Sequence, residues 1–145
     1  MKQHYYNVFV MMEKMHRLFL DVIRVYLCKK NVRDINNVQA LLIYNIGHQK
    51  LTVGDLTSQG YYLGTNVSYN LRKTIENGYV IQTPCSYDRR SSEVNLSEKG
   101  LELLKVMGEI FEEHTTKLSE NNIDDQKIED LYFTLNRIET YLLKA

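Results

Sequence analysis

The apolar positions of this chain follow two rhythms, and the points where one gives way to the other divide it into elements. Val8, Met12, Met15, Phe19, Val22 and Tyr26 alternate at spacings of four and three, and Met11, Leu18, Ile23 and Leu27 widen the stripe. That period predicts an amphipathic helix from about His4 to Lys30, wider on its apolar side than packing inside one small domain requires. Asn31 to Asp34 breaks it. Asn36 or Asn37 then caps a helix over Val38 to Ile46, closed by Gly47; it is apolar nearly all round, the pattern of a buried helix. Leu51 is expected to add one short strand. Thr52 caps a short helix, Val53 to Ser58, which ends at Gly60.

A further helix starts at Thr65 or Asn66, either of which can accept from the unpaired N–H groups of the first turn. Val67, Leu71 and Ile75 form its buried stripe, and Ser68, Asn70, Arg72 and Lys73 are expected on its exposed front. Asn77-Gly78 ends it, because Gly adopts the left-handed C′ conformation without a Cβ clash. The rhythm then shortens to two. Tyr79-Val80-Ile81 starts a strand that Pro84 confines to an edge or an end, and Val94 and Leu96 share one face of the return strand. Between them Ser86 to Arg90 is a polar tip with two adjacent cations, Arg89 and Arg90. Ser97 caps a helix whose stripe is Leu101, Leu104, Met107, Phe111, His114 and Leu118. After a polar link at Ser119–Asn122, Asp124 and Asp125 favour a last helix start. There Ile128, Leu131, Leu135, Ile138 and Leu142 repeat at 3, 4, 3 and 4, a heptad seam.

The expected fold is mainly α: a helix-turn-helix, a small antiparallel β-hairpin, and long helices at both ends. We read residues 1–145 as a single domain, with a DNA-binding lobe at 36–100 and helical dimerisation arms at 1–30 and 101–145. The arms argue for a homodimer, since pairing each stripe with a symmetry mate buries both and two-fold dimers are the commonest oligomers. The alternative is that the last helix folds back on its own first helix. A helix followed by a basic hairpin can lay the helix in the major groove of double-stranded DNA while the hairpin reaches the neighbouring backbone or minor groove.

Composition changes this picture only in part. Lys plus Arg equals Asp plus Glu at 18 each, so the formal charge is zero. The distribution is uneven: residues 1–50 hold eight cations against three acids, 65–90 four against two, and 101–145 five against ten. The charge signal for nucleic acid is therefore weak. Cys28 and Cys85 are expected as free thiols in a reducing cytoplasm. Val8–Met12 is followed at once by Glu13-Lys14, which does not fit a signal peptide, and no run approaches a membrane span. His4, His16, His48 and His114 sit on separate elements without acidic or Cys neighbours at ligand spacing, so neither a metal nor another cofactor is expected. Gly60-x-x-x-Gly64 lacks the Lys-Ser/Thr of a phosphate loop, and an enzyme is not expected.

The candidate DNA-contacting residues on the helix are Thr65, Asn66, Ser68, Tyr69, Asn70, Arg72 and Lys73. Asn pairs bidentately with adenine, and Ser or Thr serves a base or a phosphate. Asp88, Arg89 and Arg90 are the candidates on the hairpin. Here the residues carry a resemblance. Asp88-x-Arg90, five residues, then Leu96-Ser97-x-x-Gly100 resembles the wing signature of the MarR family of winged-helix transcription regulators. The Val67…Leu71…Ile75-Glu76-Asn77-Gly78-Tyr79-Val80 stretch resembles that family's recognition helix and its exit. The specific match covers about a quarter of the chain, and one departure is the aromatic, Gly-rich Gly60-Tyr61-Tyr62-Leu63-Gly64. The resemblance implies that Arg90 enters the minor groove, oriented by an ion pair with Asp88. It also implies a small aromatic effector between the arms and the DNA-binding lobe, where Phe19, Tyr26 and Tyr44 would lie. Two other readings stand beside this one: a winged-helix dimer that docks a protein, and a thiol-based redox-sensing regulator using Cys28 or Cys85.

Overall fold

The computed structural model describes residues 1–59, 66–88 and 90–145. Among them run α1 (Lys2–Lys29), α2 (Asn37–Ile46), β1 (Leu51–Thr52), α3 (Val53–Gln59), α4 (Val67–Glu76), β2 (Val80–Pro84), β3 (Ser92–Leu96), α5 (Glu98–Glu120) and α6 (Asp125–Leu142). The expected turn at Gly60–Gly64 lies outside the described residues, as do Thr65 and Arg89. The chain divides into two compact units, Met1–Gly108 and Glu109–Ala145.

In the first unit α2 is the central helix. Ala40, Leu41, Leu42, Ile43 and Ile46 are buried, which its all-round apolar sequence requires. Its start is a capping box: the Asn36 side chain accepts from the Gln39 N–H at 2.8 Å, and the Gln39 side chain accepts from the Asn36 N–H at 3.1 Å. Ile23, Tyr26 and Leu27 from the end of α1 join this core, with Leu56 of α3, Val67 and Leu71 of α4, and Leu103 and Met107 of α5. The strands form a three-stranded antiparallel sheet in the order β1-β3-β2, with Val80 opposite Leu96 and Leu51 opposite Val94. β2 is an edge strand, and that is where Pro84 is tolerated.

The exit of α4 is a Schellman turn. The Gly78 N–H donates to the Ile75 carbonyl at 3.0 Å and the Tyr79 N–H to the Thr74 carbonyl at 2.9 Å, with Gly78 at φ 82°. The start of α5 closes on this turn. The Ser97 N–H donates to the Tyr79 carbonyl at 2.9 Å, and the Ser97 Oγ accepts from the Gly100 N–H at 3.2 Å. A Cβ placed on Gly100 would lie 2.2 Å from the Tyr79 carbonyl oxygen.

One expectation about helix faces needs correction. The buried residues of α5 are Leu103, Met107 and Ile110, whereas Leu101 and Leu118 of the predicted stripe are exposed. Two apolar stripes cross at Met107, and packing rather than period selects between them. The stripe of α1 is buried only towards its end; Val8, Met11, Met12, Met15, Leu18 and Phe19 are exposed in the single chain. In the second unit α6 is capped by the Asp124 side chain, which accepts from the Lys127 N–H at 3.0 Å, and it buries no residue at all.

Gly100→Ala is expected to destabilise the fold by about 2 kcal/mol, because the added methyl meets a backbone oxygen that cannot rotate away. Urea unfolding should show a lower midpoint with an unchanged slope; a midpoint equal to the wild type would mean that α5 shifts freely.

Candidate nucleic-acid interface

α4 presents its outer face beside the wing, the hairpin of β2 and β3. A cavity of about 750 Å³ separates them. Ser68, Leu71, Arg72, Ile75 and Glu76 of α4 form one wall, and Gln82, Arg90, Ser91 and Ser92 of the wing form the other, with Thr52, Val53 and Gly54 at the floor of α3. Two arginines thus line one groove with hydroxyls and one amide, and the single carboxylate among the lining residues, Glu76, is paired with Lys73. Such a lining can hold anionic oxygens by charge-assisted hydrogen bonds.

The predicted residues do not all reach this face. Asn66, Ser68, Tyr69 and Arg72 are exposed. Lys73 is half-buried, its Nζ 3.4 Å from a Glu76 carboxylate oxygen and 5.8 Å from the Tyr69 ring centroid. Asn70, expected on the exposed front, is instead 6% exposed and points into the domain. Its Oδ1 accepts from the Gln39 Nε2 at 3.2 Å. The sequence signal was present: Val67, Asn70, Leu71 and Thr74 form a complete i, i+3, i+4, i+7 set, and all four are buried.

The wing tip also differs from expectation. Rather than pairing with the Arg90 guanidinium, the Asp88 carboxylate accepts from the Arg90 backbone N–H at 2.9 Å and from the Ser91 hydroxyl at 3.1 Å. This is an Asx-type turn, the favoured use of a short carboxylate at a tight reversal. Asp88 therefore shapes the backbone and leaves the exposed Arg90 side chain to the groove. Thr52, Gln82, Ser91 and Ser92 were not anticipated as lining residues. Thr52 already caps α3, accepting from the Asp55 N–H at 3.0 Å, and Gln82 donates to the Ser92 hydroxyl across the ladder at 2.6 Å.

A polar cluster fixes the exit of α4. Lys99 Nζ donates to Asp34 at 2.7 Å and to the Asn77 carbonyl at 2.8 Å. It also lies 4.3 Å from the Tyr79 ring centroid. Tyr79 donates its hydroxyl to the other Asp34 oxygen at 2.6 Å, and the Asn77 side-chain amide donates to the Asp34 carbonyl at 2.8 Å. Burial works to raise the Asp34 pKa, but the hydrogen bonds from Lys99 and Tyr79 outweigh it and the carboxyl ends below its ordinary range. Burial, and then the Asp34 hydrogen bond, push the Tyr79 phenol up.

Elsewhere, Cys85 is buried and Cys28 exposed. Burial raises the Cys85 pKa; a Tyr87 hydrogen bond opposes this, the nearby Glu93 carboxylate adds to it, and the net shift is upward. That is the reverse of a sensing thiol. Of the three residues expected at an effector site, Tyr26 is buried, with Lys29 Nζ 5.0 Å from its ring centroid, whereas Phe19 and Tyr44 are exposed. No group of His, Cys, Asp and Glu among the described residues has the arrangement of a metal site. No helix among them is long and apolar enough to cross a membrane.

A short helix, a second helix and a β-hairpin that share one groove define a winged helix-turn-helix protein. A model described as MarR family matches residues 33–91, from before α2 to the wing tip. The chain is 33% identical over 135 residues to the exopolysaccharide II synthesis transcriptional activator ExpG of Rhizobium meliloti (strain 1021), covering 93% of this chain and 70% of that protein. Among solved structures, Staphylococcus aureus MarR in complex with salicylate and kanamycin superposes with a TM-score of 0.75 at 23% identity, covering 99% of this chain and 93% of that one. Streptococcus pneumoniae FabT in complex with DNA superposes with a TM-score of 0.72 at 19% identity, covering 97% and 98%. The chain belongs to the MarR family of transcription regulators, and is not an enzyme.

The lowered Asp34 pKa has a definite sign. A depressed carboxyl contributes stability that is complete above its unfolded pKa and is lost as pH falls through the folded one. Asp34→Asn should therefore melt below the wild type at pH 7, and the gap should close as the pH falls below about 4. A gap that stays constant across that range would mean that the Asp34 charge contributes nothing.

Proposed function

We propose that this protein is a homodimeric, sequence-specific DNA-binding regulator that acts in the cytoplasm on a pseudo-palindromic operator. The observation that carries this reading is the groove lined by both Arg72 of α4 and Arg90 of the wing. Ser68, Tyr69 and Arg72 approach base edges and phosphates in the major groove, joined by Asn66 and Thr65 at the start of α4. Lys73, tied to Glu76, serves the backbone. Arg90, with its neighbour Arg89, enters the minor groove, where a narrow groove concentrates negative potential. Asp88 takes part by shaping the turn that carries Arg90. Asn70 has no place in this list of contacts, because its amide is engaged inside the domain.

Residues 36–100 form the DNA-binding lobe and the segments at 1–30 and 101–145 the dimer arms. The support for the dimer is uncovered apolar surface. α6 buries no residue, and Ile128, Leu131 and Leu142 of its seam are exposed, as is most of the α1 stripe. Covering both with a second copy removes that surface from water and holds two α4 helices about one DNA turn, ~34 Å, apart. A small aromatic effector at Phe19, Tyr26 and Tyr44 acts by population shift, binding more tightly to the dimer whose recognition helices are mis-spaced. The zero net charge favours one second reading, a winged-helix dimer that docks a protein. The two differ in salt dependence, since phosphate contacts release counterions.

Arg90→Ala is expected to weaken duplex binding about tenfold and to lower the salt slope by about one, with an unchanged melting temperature. Unchanged affinity returns the tip to a solvated turn. Sedimentation at micromolar concentration should give a species of twice the 17.1 kDa chain mass; a monomer alone ends the dimer reading.

A further inference from the structure

The first turn of α2 makes polar contacts in two directions, both unusual for a helix otherwise packed by Leu and Ile. On one side the Asn37 Nδ2 donates to the Leu20 carbonyl of α1 at 3.0 Å. On the other the Gln39 Nε2 donates to the Asn70 Oδ1 in the middle of α4 at 3.2 Å, both side chains being buried. The opposite end of the same Gln39 amide closes the capping box with Asn36, so the Gln39 rotamer is fixed before it reaches α4.

We infer that Asn37, Gln39 and Asn70 form a polar buckle that sets the roll and axial register of the recognition helix against α1, and so determines DNA specificity without touching DNA. This rests on the DNA-binding reading above. The physical basis is the difference between apolar and polar contacts. The apolar side chains buried around this pair, from α2 and from Val67 and Leu71 of α4, pack without directional bonds, and a helix can slide or roll across such contacts at small cost. A hydrogen bond has a distance and an angle, and breaking one leaves a buried amide unsatisfied. A buried polar pair in an apolar interface is the best-attested device for fixing helix register. Rolling α4 by one position carries Ser68 and Arg72 off the face they share with the wing. Because Asn37 ties the same turn to α1, the buckle also links the pose of α4 to the helix on which dimer spacing depends. These are positioning residues: they act through Ser68, Tyr69 and Arg72.

The test selects a preferred sequence and half-site spacing for the wild-type dimer from a pool of randomised duplex DNA. It then measures binding to that duplex and to random duplex for three proteins. Gln39→Met with Asn70→Leu removes both partners of the buried pair together, and with them the Gln39 half of the capping box. Asn37→Ala cuts the half-buried link to α1, together with the local bond that the Asn37 Oδ1 accepts from the Val38 N–H at 2.8 Å, and leaves the Gln39–Asn70 pair in place. The double variant should lose about tenfold in affinity for the selected duplex and bind random duplex within about twofold of wild type, with only the small drop in melting temperature that the lost capping-box bond brings. Asn37→Ala should accept half-site spacings that the wild type rejects. A contact that serves stability alone would lower the melting temperature and leave the ratio of selected to random binding unchanged; that result overturns the buckle. If the double variant does not fold, the spacing profile of Asn37→Ala decides, an unchanged profile being the overturning outcome. A wild type that binds no duplex in a salt-dependent way removes the DNA reading and this inference together, whereas wild-type binding with unaltered variants removes the buckle alone.

Discussion

The backbone of Gly100 rests against the carbonyl oxygen of Tyr79, and the geometry of the groove depends on that contact. Four elements meet there: α4 ends, β2 begins, β3 ends and α5 begins. The carbonyls left over at the end of α4 are taken up by the neighbouring junction instead of by water. Ser97 lies against the carbonyls of Gly78 and Tyr79, and Lys99 takes that of Asn77. The recognition helix and the wing are thereby held as one body. Arg72 and Arg90 line one groove, and the helix and hairpin that carry them share this joint. The family's Leu-Ser-x-x-Gly motif has a direct physical meaning in this chain: a Leu that pairs with Val80 and fills the core, a Ser that bridges, and a Gly that permits the approach.

The lobe is well satisfied, and the arms are not. Its core holds Leu42, Ile43, Ile46 and Leu56 at essentially no exposure, and Ile23 and Met107, from the parts of the two arms that pack on it, are buried with them. Along α6 the apolar side chains meet solvent, with Tyr132, Phe133 and Tyr141 more than half exposed. Exposed apolar surface of this extent marks an interaction site. It also ties stability to assembly, because anything that binds the folded state alone shifts the folding equilibrium by mass action.

Most of this fold was readable from spacing. The helix ends followed from Asn36, Gly47, Gly78 and Asp124, and the strands from the switch to a period of two. The misses share a cause: hydrophobic period gives the repeat of a face, not its phase, when a polar residue occupies an inward position. Asn70 sits at such a position, and its chemistry, which suits adenine, drew the reading outward. Leu103 and Ile110 lost to Leu101 and Leu118 because two stripes cross one helix. Asp88 is different. Both an ion pair and an Asx turn use the same residue two positions before Arg90, and only the backbone conformation distinguishes them. The Asp34–Lys99 contact joins residues 65 apart in sequence, so no local pattern could reveal it.

A neutral chain can still read an anionic polymer if its charges are sorted, and here structure sorts them further than sequence does. Three of the acids nearest the groove are already engaged: Asp88 by its own turn, Glu76 by Lys73, and Glu93 by Lys50 at 3.3 Å. The ion pairs, half-exposed as they are, contribute little to stability, but they remove acid from the face that Arg72 and Arg90 share. The acidic excess of residues 101–145 belongs to another part of the chain. With few cations at the groove, the counterion-release term that drives indiscriminate binding is small. What remains to favour one sequence over another is the placement of a few side chains. For that placement, the rigid joint at Gly100 and the directional bonds at Asn37 and Gln39 matter more than any further positive charge would.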